Sequence, residues 1–182
     1  MMGDASPPAK GPFARALDPD FASLPCALRL FHGVQNFQRF SGEADITVAP
    51  GWLRHAVLRV GGFPRHSGRV PLVVTVEVQG GREIWRRDFG GTATVSELTF
   101  QRGRVVEAFG PVTFELDLSV KNHSILIGVR RAWLFRVIPL PWFLIPASDS
   151  VEWADDQGRF RFDIKVDFPG LGRLIEYRGH IV

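Results

Sequence analysis

The feature that most constrains this chain is a succession of apolar/polar alternations cut by glycine turns. Val70, Leu72, Val74, Val76 and Val78 alternate strictly, and Gly80–Gly81 then turns the chain into Arg82–Phe89. Gly90–Gly91 leads on to Thr94–Phe100, and Arg102–Gly103 to Arg104–Phe109. Val112–Val120 repeats the pattern, and Ser124–Ile138 reads as a long strand. Alternation by two gives each strand one dry and one wet face, and double-glycine turns between such runs are hairpin signals. Further strands are expected at Phe37–Val48, with a bulge at Gly42, and at Val151–Ala154, Arg159–Phe168 and Leu174–Val182. About ten antiparallel strands in a row must bury their dry faces on something.

Only two helices are expected, both in the N-terminal third. Phe21–Gly33 carries Leu24, Leu28 and Phe31 at helical spacing, with Ser23 as a cap, Pro25 in the first turn and Gly33 at the end. Trp52–Val60 carries an apolar stripe of Trp52, Leu53, Ala56, Val57 and Val60. Two helices cannot cover so wide a flat sheet. The expectation is therefore a mainly β domain at 21–182, a single antiparallel β-barrel or strongly curved half-barrel with a calycin-like character, plugged by the helices. Residues 1–20 are rich in Pro, Gly and Ala and read as a flexible leader.

Composition narrows the class. Fifteen Phe and five Trp stand against one Tyr, so the interior should be large and dry. The net charge of +3 comes from 22 basic residues spread along the chain, which argues against nucleic-acid binding. The lone Cys26, read as a small core residue, fits a reducing compartment, and a cytoplasmic location is expected. No signal-peptide pattern and no transmembrane run is read. The closest apolar stretch, Ala132–Pro146, is broken by Arg136 and three prolines. Its I-P-L-P-W-F-L-I-P segment either caps the barrel, the favoured reading, or touches a membrane or partner through Trp142 and Phe143.

The ionisable residues on dry faces are the candidate site. Trp85, Arg87 and Phe89 share a face with Glu83, and Glu107 shares one with Val105 and Phe109. An inward Arg87 needs a carboxylate or a ligand anion, because an unpaired buried charge is very costly. Glu107 is the obvious counter-charge, so the two form either a structural ion pair or a polar anchor for the acidic head of a lipid-like ligand. An outward face, with Trp85 on the surface, is the remaining alternative. Arg131, on the face of Ile127, Val129 and Trp133, and Tyr177, on that of Ile175 and Ile181, are further ligand-binding candidates. His32 ends the first helix and either serves its C-terminus or acts as a base at the cavity mouth. No G-x-S-x-G, P-loop, H-E-x-x-H or paired C-x-x-C occurs, so no metal or cofactor is expected.

A set of segments carries a resemblance: L-P-C-A-L-R-L-F-H-G (24–33), V-P-L-V-V-T-V-E (70–77), W-R-R-D-F-G-G (85–91), V-V-E-A-F-G-P (105–111), I-P-L-P-W-F-L-I-P (138–146) and G-R-F-R-F-D-I-K-V-D-F-P-G-L-G (158–172). Together they resemble an uncharacterised bacterial domain family that occurs alone or appended to saccharopine-dehydrogenase-like reductases. The resemblance implies no catalytic residues, and it implies a possible reductase partner on another chain. Three functions follow as expectations. One is a binding module for an apolar, acidic small molecule such as a fatty acid. The second is an isomerase or hydrolase using Glu107 and His32 around the same cavity. The third is a closed interaction domain that docks a reductase through the proline-rich loop.

Overall fold

The computed structural model describes residues 10–182. Three helices come early: α1 (Pro12–Ala16), α2 (Cys26–His32) and α3 (Trp52–Val60). The strands are β1 (Phe37–Val48), β2 (Gly68–Gln79), β3 (Arg82–Phe89), β4 (Thr92–Gln101), β5 (Arg104–Phe109), β6 (Val112–Lys121), β7 (Ser124–Leu134), β8 (Ile138–Pro139), β9 (Ala147–Ser148), β10 (Ser150–Ala154), β11 (Phe160–Phe168) and β12 (Gly172–Ile181). Ladders run in the order β10-β11-β12-β1-β2-β3-β4-β5-β6-β7, and β10 pairs back onto β7. The sheet is thus a closed ten-stranded antiparallel barrel, with β8 and β9 as additions to it. The dry faces point inward as the alternation requires: Leu72, Val74, Val76, Trp85, Phe89, Leu98, Val105, Phe160 and Phe162 are all buried.

One end of the barrel is plugged. Leu28 and Phe31 of α2 are buried, and Phe31 packs 4.3 Å from Phe160 and 5.0 Å from Trp85 between ring centres. Residues 12–17 are not a free leader: Phe13, Ala14 and Leu17 are buried, and Phe13 stacks on His32 at 4.0 Å. The Pro/Gly/Ala-rich composition hid the two large apolar residues in this stretch. Residues 1–9 of the expected leader lie outside the described residues.

Several local readings are corrected. Pro25, not Ser23, stands at the N-cap of α2, and the Ser23 hydroxyl donates to the Asp20 carbonyl at 2.8 Å. Cys26, at the first turn, is exposed rather than in the core. The long strand ends at Leu134, because Phe135 and Arg136 take left-handed φ values of 52° and 64° and turn the chain. Most of the stripe on α3 faces outward: Trp52, Leu53 and Ala56 are exposed, whereas Val57 packs inward beside Leu58, the helix's one fully buried side chain.

Gly42 is not a bulge, since its register is continuous with both β2 and β12. It marks a close approach of two backbones instead. A side chain at Gly42 would run into the His180 carbonyl, and one at Gly179 into the Glu43 carbonyl. The two glycines thus let β1 and β12 coil tightly across each other. Gly179→Ala should therefore cost about 2 kcal/mol or more in urea unfolding, within the usual range for overpacking. Gly128→Ala, where the new methyl meets nothing closer than 3.7 Å, should cost less than about 1 kcal/mol.

Candidate functional site

The barrel interior is not filled. A cavity of about 160 Å³ runs through it, walled by aromatic and aliphatic side chains from nearly every strand and from α1 and α2. Three ionisable side chains on this wall were visible in the sequence: Arg87, Glu107 and Tyr177. Strands β3, β4 and β5 bring the first two together. Arg87 Nη2 donates to Glu107 Oε1 at 3.0 Å, and Arg87 Nη1 donates to the Ser96 hydroxyl at 2.9 Å. Ser96 Oγ donates in turn to Glu107 Oε1 at 2.7 Å. Arg87 also lies 4.8 Å from the Trp85 ring centre and 5.8 Å from that of Phe109, a cation held between aromatic faces. Trp85 and Phe89 are buried wall residues beside it. The cluster spends two of the five guanidinium N–H groups and leaves Glu107 Oε2 outside these bonds.

Tyr177 sits in the same interior, edge-on to Phe89 at 5.4 Å and near Phe162 at 6.1 Å. Burial pushes its phenol up to about 12, with nearby Arg87 opposing and Glu107 and Glu152 adding to the shift. It is therefore a neutral hydroxyl on the cavity wall at any physiological pH.

Arg131 does not join them. Glu115 pairs with Arg131 but Leu116 pairs with Val129, so Arg130 is an extra residue in β7. This bulge resets the alternation. Ile127 and Val129 line the cavity, Ala132 continues the inward face, and Arg131 goes out to solvent.

His32 is not at a cavity mouth. It is 1% exposed beneath Phe13, and its Nε2 lies 2.7 Å from Glu152 Oε2. Glu107 and His32 therefore hold different partners and form no acid–base pair with each other. Glu152 was missed in the sequence because Val151 and Trp153 look like the inward residues of that strand. Ser96 was missed because a lone serine on a half-apolar strand carries no signal of its partner. Ser150, also buried on β10, bonds the Ser148 hydroxyl at 2.7 Å. Among the described residues, no three His, Cys, Asp or Glu side chains gather as a metal ion would require.

Glu83 lies deeper on the Trp85 face. The Trp85 indole donates to its Oε2 at 2.7 Å, while Oε1 has no partner among the described residues. Burial raises its pKa above the ordinary carboxyl value, against the opposing effects of the indole bond and of His32.

A second cavity, of about 190 Å³, adjoins the first at the end away from the plug. The two share Phe63, Phe109, Phe114, Pro146 and Val166 as walls. Its lining is wholly apolar and comes partly from α3 (Val57, Leu58, Val60) and partly from the segment after β8 (Leu140, Leu144, Pro146). The proline-rich segment thus covers this end of the barrel, and its Trp142 remains exposed.

These features occur within a recognised sequence family. The chain belongs to the family described as a domain of unknown function, DUF4166, which matches residues 24–181. No curated protein matches the chain. Nearly every cavity-wall residue of this DUF4166 domain lies inside the matched range, whereas Phe13 precedes it.

A carboxyl whose pKa burial has raised contributes stability at low pH that is lost as pH rises. Glu83 therefore contributes most below its unfolded value near 4.5, and the contribution fades as pH climbs through its higher folded value. Glu83→Gln keeps an acceptor for Trp85 and removes that titration. It should raise the melting temperature at pH 7 and give little or no gain at pH 4, as thermal unfolding at the two pH values would show. Tyr177 behaves alike further up the scale: stability should fall between about pH 10 and 12, and Tyr177→Phe should flatten that limb.

Proposed function

We propose that this domain is a binding module for an apolar small molecule with one carboxyl head, a fatty-acid-like ligand held inside the barrel. The observation that carries this reading is an unfilled, largely apolar interior whose wall holds the convergent cluster Arg87–Ser96–Glu107, with Ser148, Ser150 and Glu152 as its other polar residues besides Tyr177. Sites of this kind hold a ligand by apolar burial and orient it with a few polar groups. Each cavity is of the size that takes a benzene ring in a protein interior, and the shared walls suit a chain-shaped molecule spanning both. The unused guanidinium N–H groups would face the head group, and the neutral Tyr177 hydroxyl is a further donor on the same wall. A cytoplasmic setting is retained on the single cysteine, and a reductase partner on the resemblance alone.

Glu107 makes the choice of head group testable, because it neutralises Arg87 before any ligand arrives. A second carboxylate beside Glu107 is repelled, so an anionic head should bind better once that charge is removed.

Native mass spectrometry of the purified protein, with solvent extraction, should reveal a co-purifying apolar acid near one per chain. Glu107→Gln should then tighten binding of the acid by about tenfold and leave its methyl ester unchanged, a difference of about 1.4 kcal/mol. Arg87→Leu in the Glu107→Gln background, which avoids leaving a lone buried charge, should weaken the acid far more than the ester. Equal effects on acid and ester would make Arg87 and Glu107 a purely structural pair.

A further inference from the structure

The covered end of the barrel carries an apolar surface that the fold itself does not use. Helix α3 is inside out for a core-packing helix. Its outward face holds Trp52, 83% exposed, with Leu53 and Ala56, while the half-exposed Val60 and Arg59 lie where that face meets the cavity opening. Across the mouth of the outer cavity, the single 3-10 turn Trp142–Leu144 presents Trp142, 82% exposed, with Phe143 beside it. The two segments frame the same wholly apolar opening. An exposed apolar patch of this extent marks an interaction site.

Charge identifies what it meets. The chain has 19 acidic residues, yet none lies between Pro50 and Gly68 or between Leu134 and Ser148, the two stretches that build this end. Arg59, Arg65 and His66 are exposed in the first stretch. Arg54 is occupied in tying α3 to the Leu171 carbonyl, and Arg136 turns back to Glu97 at 3.3 Å. Asp45, Asp88 and Asp167 approach this end from other strands; Asp45 lies across from Arg69, and Asp88 keeps its charge. Asp88 accepts the Gly91 N–H at 2.6 Å, and Asp167 is paired with Arg173 at 2.9 Å. The rim is thus apolar at its centre, with cations around it and no free carboxylate in either framing stretch. Indole rings at headgroup depth, an apolar helix face lying flat and a surrounding positive charge are what an anionic lipid surface rewards.

We propose that this end of the barrel docks on an anionic bilayer surface. Trp52 and Trp142 enter the headgroup region, and Arg59 and Arg65 lie against the lipid phosphates. Docking in this orientation points the outer cavity at the bilayer, so an apolar ligand passes between membrane and barrel without crossing water. The docking stands on surface residues alone, while the passage of a ligand rests on the cavity reading above.

Co-sedimentation of the whole, ligand-free chain with vesicles tests it. Vesicles of phosphatidylcholine mixed with phosphatidylglycerol should retain the protein at low salt and release it at high salt, and phosphatidylcholine alone should bind it poorly. Trp52→Ser combined with Trp142→Ser should weaken binding at least about tenfold, with an unchanged melting temperature because both rings are outside the core. Arg59→Gln with Arg65→Gln should abolish the preference for anionic vesicles. Wild-type protein left in the supernatant with mixed vesicles overturns the proposal, as does undiminished binding by the double tryptophan variant. A dimer that this variant dissociates, without vesicle binding, would assign the surface to a second copy and equally overturn it. No ligand enters the measurement, so its failure leaves the cavity reading intact.

Discussion

Three residue pairs join the two ends of the sheet, Ser150 with Ile127, Val151 with Leu126 and Glu152 with Ile125, and the interior depends on them. Without this seam β7 and β10 would be free edges, and the inward aromatic faces would have no opposite wall. The same seam anchors the plug. Glu152 leaves the ladder inward to reach His32, and Phe13 lies over that imidazole. A short ladder, a buried polar contact and two small helices therefore close the barrel around its circumference and at one end together.

The two ends differ in what covers them. The α1–α2 end is sealed by rings packed face and edge on Trp85 and Phe160, with Glu83 and Glu152 meeting their partners inside. The α3 end is covered by a helix with one fully buried side chain and by a segment whose prolines prevent regular pairing. Local opening is easiest where few apolar contacts hold an element down. The α3 end is thus the less firmly covered of the two, and the Arg87–Glu107 cluster lies within the barrel.

Buried charge is used sparingly. Arg87 and Glu107 neutralise each other with Ser96 as a bridge, and Tyr177 stays protonated. A dry interior tolerates these groups because each charge has a bonded partner and the phenol carries none. Glu83 is the exception, with one oxygen bonded and one without a partner among the described residues, and burial raises its pKa.

Much of the wall was legible in the sequence because strand periodicity is local. The faces of β2, β3, β5, β6 and β11 follow from alternation alone, and so do Trp85, Arg87, Phe89 and Glu107 as inward residues. The count of strands against helices required the sheet to curl. Three things needed the tertiary structure. Arg131 leaves the interior because of one extra residue in β7, and a bulge is defined by the partner strand rather than by its own sequence. His32 is paired with Glu152, a contact between residues 120 apart that no spacing encodes. The stripe on α3 has the correct helical period, but most of it, Trp52, Leu53 and Ala56, points outward. Periodicity specifies that an apolar face exists, and only the position of the barrel decides whether that face meets the core or the outside.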